Sequence, residues 1–178
     1  MIDTAVLERI NSDTVSRKSL DEITEPVKAH LEEFRGFFRE TIKTDVFLLD
    51  KILRYLSKQK GKEVRPMLVF MSANLFGNIN QKSHVAATMI ELLHTATLIH
   101  DDVVDEANSR RGFVSINKIW KNKAGVLLGD FLLAKGLQVA LHHKEYRMLE
   151  IQSKAVQKMS EGELRQLKTA GLFNMTEE

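Results

Sequence analysis

The stretch that decides the fold runs Met89-Ile-Glu-Leu-Leu-His94-Thr-Ala-Thr-Leu-Ile-His-Asp101-Asp102-Val-Val-Asp105. Its apolar residues, Met89, Ile90, Leu92, Leu93, Ala96, Leu98, Ile99, Val103 and Val104, fall on more than one helical face. A helix apolar nearly all round belongs at the centre of its fold. The three aspartates that end it therefore stand at the mouth of a buried space, not on an outer surface. Helical spacing puts Asp101 and Asp105 one turn apart on one face, where like charges repel. Acidic groups at a helix C-terminus also oppose the helix dipole. A hard divalent cation offsets both costs, because Mg2+ prefers carboxylate oxygens and shares its coordination with substrate phosphates. Arg110-Arg111-Gly112 follows at once, and guanidinium groups grip phosphate oxygens in a bidentate fork. An apolar helix ending in this arrangement suits a molecule with a diphosphate head and a hydrocarbon tail.

Upstream, Ser83 is a candidate cap for this helix, which is predicted to run to about Asp105. Gly77 is the expected stop for the helix before it, which ends near Phe76, because glycine is the common residue just past a helix end, and Pro66 fits the first position of that same helix. Lys58 to Arg65 reads as a polar loop. A further helix covers about Asp45 to Ser57 and buries Phe47, Leu48, Ile52, Leu53 and Leu56. Ser19-Leu-Asp-Glu22 matches a capping box, opening a helix to about Thr41 with Val27, Leu31, Phe34 and Phe38 on its apolar face. Downstream, Glu106 to Val114 reads as a loop. A short helix follows at Ser115–Lys121, then a long one from Ala124 to Leu141, in which Gly125 and Gly129 allow a neighbour to approach closely. The last helix spans about Lys144 to Leu167. No segment alternates with period two, so no sheet is expected.

Composition agrees with a helical globular chain. Of 178 residues, 43% are hydrophobic and only two are proline, which leaves long uninterrupted segments. Cysteine is absent, which excludes disulfides and thiolate metal sites and is compatible with a cytoplasmic location. Twenty-six basic residues against 24 acidic ones leave a net charge of +2, too small for a general nucleic-acid binder. Neither a signal peptide nor a run of about 18 uncharged apolar residues is present, so no transmembrane segment is expected. The seven methionines read as core filler.

Six blocks in order, Gly61-Lys62-Glu-Val-Arg65-Pro66, Glu91-Leu-Leu-His94, Asp101-Asp-Val-Val-Asp105, Arg110-Arg111-Gly112, Leu127-Leu-Gly-Asp130 and Glu161-Gly-Glu163, give the chain a family likeness. It resembles the amino-terminal half of the trans-isoprenyl (polyprenyl) diphosphate synthases, of long-chain type. The resemblance implies an all-α fold, an antiparallel helical bundle of the isoprenoid synthase type, truncated to roughly its first half. Residues 1–18 would be a weakly ordered lead-in, and 19–178 the amino-terminal part of a synthase domain whose carboxy-terminal half is absent. The implied reaction is the Mg2+-dependent condensation of isopentenyl diphosphate with an allylic diphosphate. The implied partners are those two substrates and, as is usual for the family, a second copy of the chain. By the same resemblance Asp101 and Asp105 are metal-binding and, with Asp102, catalytic. Arg110 would contact the allylic diphosphate, while Arg111, Lys62, Arg65 and His94 would hold that of isopentenyl diphosphate. Ala96 and Thr97 occupy positions where a bulky aromatic residue limits product length in the family, and both are small here. Two departures stand out: Lys60 replaces the first glycine of the family's pair, and Glu63 replaces a basic residue. The family's second aspartate-rich motif lies outside these residues, so the chain alone is expected to be inactive.

Two other readings compete. His100-Asp101 could centre a helical metal-dependent phosphohydrolase, although that leaves Arg110-Arg111-Gly112 unexplained. A non-catalytic protein that binds prenyl diphosphates, or that partners a full synthase, would carry the same motifs. His84 and His100 read as structural, and Asp130 as a buried, paired carboxylate inside an apolar helix.

Overall fold

Ser19 opens the first helix through the reciprocal bonds its motif predicts. The Glu22 amide donates to Ser19 Oγ at 3.2 Å, and the Ser19 amide donates to Glu22 Oε2 at 2.7 Å. The computed structural model describes residues 19–58, 61–105, 109–110 and 113–169, so the lead-in at 1–18 lies outside the described residues. Helix α1 (Leu20–Thr24) is short, because Pro26 lacks the amide that would continue it. The chain tightens into a 3-10 turn at Glu25–Val27 and resumes as α2 (Lys28–Thr41), so the single helix expected to Thr41 is broken near its start.

Helix α3 (Phe47–Lys58) buries Ile52 and Leu53. Phe47 and Leu48, expected inside, are 81% and 51% exposed, because they sit in the first turn, beyond the reach of the neighbouring helices. Helix α4 (Val64–Phe76) starts two residues before Pro66, which occupies its first turn, and stops at Gly77. Helix α5 (Gln81–Val104) carries the apolar run and the aspartates. Its cap is Asn80, not Ser83. Asn80 Oδ1 accepts from the Lys82 amide at 2.9 Å, and Ser83 Oγ accepts from the Asn80 amide at 3.3 Å, so Ser83 completes a capping box from inside the helix.

The expected loop after α5 contains a two-residue antiparallel ribbon, β1 (Ser109–Arg110) and β2 (Phe113–Val114), with Ser109 opposite Val114 and Arg110 opposite Phe113. That corrects the expectation of no sheet for four residues and leaves the all-α class intact. Helix α6 (Ile116–His142) is interrupted at Lys121, whose φ of 71° and ψ of 160° separate the short and long helical pieces read from the sequence. Helix α7 (Tyr146–Thr169) follows.

Helix α5 is the centre of the bundle. On one side Leu92, Ala96 and Ile99 pack with Leu128 and Leu132 of α6. A side chain on Gly125 would meet Val103, one on Gly129 would overlap the His100 imidazole, and Gly136 lies against Leu92. The pairing order 103 with 125, 100 with 129 and 92 with 136 makes α5 and α6 an antiparallel hairpin, and Gly125 and Gly129 bring the axes together. On another side Ala87 joins Val27, Leu31, Phe34, Met67 and Phe70 from the 3-10 turn, α2 and α4. Val85 and Met89 meet Val139 and Ala140, with Met148 and Leu149 of α7 against them. Helix α6 is long and apolar enough to cross a membrane, with mean hydropathy 1.5 over its most apolar stretch. Its buried residues, among them Leu128 and Leu132, pack against α5, while Val126, Leu127, Leu137 and Leu141 on the same helix stay exposed.

Candidate functional site

A cavity of about 1040 Å³ opens between α2, α3, α4, α5 and the start of α6. Its walls are apolar, formed by Phe34, Phe38, Ile42, Leu53, Leu56, Ile99 and Leu132. Polar groups line it too: Lys62, Arg65, His94 and Asp102 all contribute. Four residues singled out from the sequence are thus brought to one space by two different segments. Lys62 and Arg65 come from the connection into α4, exposed and, among the described residues, without a carboxylate partner. His94 and Asp102, both half-buried, come from the cavity face of α5, eight residues and about two turns apart.

Asp101 and Asp105 are exposed at the end of α5 and do not line the cavity. Their one-turn spacing is confirmed by the Asp105 amide, which donates to the Asp101 carbonyl at 2.8 Å. Among the described residues neither carboxylate has a partner. Two unpaired carboxylates at the negative end of a helix dipole are a donor set of hard oxygens, and this fits Mg2+ better than a softer ion. The Asp102 carbonyl accepts from Asn117 Nδ2 at 2.8 Å, which ties the last turn of α5 to the start of α6. Arg110 is placed by its backbone alone, in the β1 strand, and Arg111 lies outside the described residues.

The two positions tied to product length face elsewhere. Ala96 is fully buried in the α5–α6 core. Thr97 is half-buried, with its hydroxyl donating to the His94 carbonyl at 3.0 Å. Thr95, Leu98 and Ile99 are the neighbours on this turn that line the cavity.

Sequence reasoning passed over Arg35 and Arg39, which also line the cavity. Their spacing of four on α2, beside the apolar Phe34 and Phe38, was the available signal. Arg35 is engaged: its Nε and Nη2 donate to the Glu63 carboxylate at 3.0 and 2.7 Å. That hydrogen bond, opposed by desolvation, holds the Arg35 pKa above its usual value. Glu63 sits at φ 48° as the residue preceding α4, a left-handed conformation that turns the chain sharply into the helix. The carboxylate at this unusual position is therefore directed to Arg35. His100 is turned toward α6, its Nε2 lying 3.4 Å from Asp130 Oδ1 and 3.2 Å from the Val126 carbonyl. The His100–Asp101 doublet of a phosphohydrolase does not assemble, and Asp130 is paired but largely exposed. The arrangement can hold a polyanion against several cations, with room beside it for an apolar chain.

Known proteins resemble this chain in sequence and in fold. A family model described as polyprenyl synthetase matches residues 46–178. The chain is 34% identical over 160 residues to octaprenyl diphosphate synthase of Escherichia coli (strain K12), covering 90% of this chain and 50% of that protein. The crystal structure of a decaprenyl diphosphate synthase from Rhodobacter capsulatus superposes with a TM-score of 0.78 at 34% identity, over 83% of this chain and 46% of that one. A polyprenyl synthase from Caulobacter crescentus CB15, solved in complex with calcium and isoprenyl diphosphate, also gives a TM-score of 0.78 at 33% identity, over 84% of this chain and 45% of that one. The chain thus spans about half the length of the relatives it matches.

Proposed function

The chain belongs to the polyprenyl synthetase family, and we propose that it supplies the amino-terminal part of a trans-prenyltransferase that lengthens an allylic diphosphate with isopentenyl diphosphate. The observation that carries this reading is the cavity: Lys62, Arg65, His94 and Asp102 meet in it beside apolar walls, and Asp101 and Asp105, without a partner among the described residues, stand at the end of the same helix. Lys62, Arg65 and His94 hold the diphosphate of isopentenyl diphosphate, with Arg111 completing that set. Arg110 contacts the allylic diphosphate. Asp101 and Asp105, with Asp102 beside them, would hold Mg2+, which when bound neutralises charge on the departing diphosphate.

In the reaction the allylic C–O bond breaks and diphosphate leaves with the bonding electrons. The isopentenyl double bond attacks the resulting allylic cation, forming the new C–C bond, and a proton is then lost to restore a double bond. The chain's own groups contribute by holding both diphosphates in register, by fixed positive charge where negative charge develops, and by apolar walls that keep water from the cation. A long product is supported by the likeness to an octaprenyl and a decaprenyl diphosphate synthase. A homo-oligomer is supported by apolar residues left exposed on α6 and α7, among them Leu127, Leu137, Leu141 and Leu164.

The test is calorimetric titration of inorganic diphosphate with and without Mg2+. Wild-type binding is expected to depend on Mg2+, and Asp101→Ala to weaken it at least tenfold. Equal, Mg2+-independent binding by both proteins would remove the basis of the proposal.

A further inference from the structure

Away from the cavity, His30 and Glu33 on α2 face His84 near the start of α5. One ligand atom from each lies within 4.8 Å of the other two. Glu33 Oε2 is 3.4 Å from His30 Nδ1 and 3.4 Å from His84 Nε2. We propose that these three side chains form a binding site for a divalent transition-metal ion of the zinc type, separate from the diphosphate site and independent of its assignment.

Four observations carry it. First, zinc bonds of about 2.0–2.2 Å in a tetrahedron set ligand atoms about 3.4 Å apart, and two of the three edges already have that length. Second, His30 Nδ1 is buried and has no hydrogen-bond partner among the described residues. A buried ring nitrogen left unmade costs free energy that a metal bond would recover. Third, the rings are held in place. The Phe70 ring centroid lies 4.8 Å from that of His84 and 6.0 Å from that of His30, so little ordering is needed on binding. Fourth, the side chain of His84 is 14% exposed while that of Glu33 is 64% exposed. The site is walled on the protein side and open toward solvent, which provides an entry path and a fourth position for water.

Two imidazoles and one carboxylate select a borderline ion such as Zn2+ or Co2+ over Mg2+ or Ca2+, which favour oxygen donors. Such an ion would clasp α2 to α5, the helix that carries the aspartates. It would stabilise the fold by binding the native state alone.

The experiment is titration of the untagged chain with Zn2+ and, separately, Co2+, in an Asp101→Asn/Asp105→Asn background that removes the carboxylates at the other end of α5. One equivalent of Zn2+ is expected to bind, raising the melting temperature, and Co2+ is expected to give the intense visible absorption of a tetrahedral site. His84→Asn should weaken binding at least tenfold. Glu33→Gln, at an exposed position that leaves folding intact, should do the same and abolish the thermal shift. The proposal is overturned if the double-Asn background binds no Zn2+, or if binding is unchanged in both His84→Asn and Glu33→Gln. A simple histidine–glutamate ion pair would give that second result.

Discussion

Along α5, the side turned to α6 and the side turned to α2, α3 and α4 are built differently from one apolar run. Toward α6, Leu92, Ala96 and Ile99 meet Leu128 and Leu132, and Gly125 and Gly129 bring the backbones close enough that any added side chain collides with Val103 or His100. Toward α2 and α4, the same helix presents Glu91, His94, Thr95 and Asp102 to a space of about 1040 Å³. The first side is close-packed and intolerant of volume change, as protein interiors are. The second keeps room for a ligand and spends little packing energy on its polar residues. A single helix thus separates holding the fold from holding a substrate, and substitutions on its two sides should report on different properties.

The largest stability effect is expected from Leu92→Ala on the packed side. Leu92 is fully buried, and truncation should cost about 2–5 kcal/mol by leaving a cavity, read as a lower urea midpoint. Gly129→Val comes next, at about 1–3 kcal/mol, because the new side chain must displace the His100 ring from Asp130. Thr95→Ala on the cavity side should stay within about 0.5 kcal/mol, and a loss as large as that of Leu92→Ala would erase the contrast between the sides. The smallest effect is one of pH. Burial holds the His84 imidazole below its usual pKa of 6.5, with Glu33 opposing and His30 reinforcing the shift. The folded state therefore binds fewer protons than the unfolded one between the lowered value and 6.5. Its contribution to stability should be complete above pH 6.5 and fall as the pH drops below it, in chelator-treated protein. His84→Asn should flatten that part of the pH profile.

Features set by local chemistry were legible in the sequence. The Ser19–Glu22 capping box, the stop at Gly77, the break near Lys121 and the close approach at Gly125 and Gly129 all depend on residues within one or two turns or on the size of one side chain. Legibility failed where two local solutions compete. Asn80 and Ser83 are both good caps, and the helix uses Asn80 outside and Ser83 inside. It failed again where a pattern was too short to show a period, as in the ribbon at Ser109–Arg110 and Phe113–Val114. The site was partly legible. Lys62, Arg65, His94 and Asp102 share the cavity, yet the part played by Arg35 and Glu63 depends on a contact across 28 residues that no spacing reveals. The His30, Glu33 and His84 cluster was hidden for the same reason, since its third member lies on another helix.

The hairpin of α5 and α6 also sets an order of events. Its two helices are neighbours in sequence, so their contacts close a short loop, whereas those of α2 with α5 must bring together more distant segments. Contacts between near neighbours in sequence form fastest. Helix α7, in which no described residue is buried, adds little that could hold a partly formed chain together. Refolding should therefore begin with the helix that carries the aspartates and its partner, and amide exchange in the native state should be slowest there and fastest along α7.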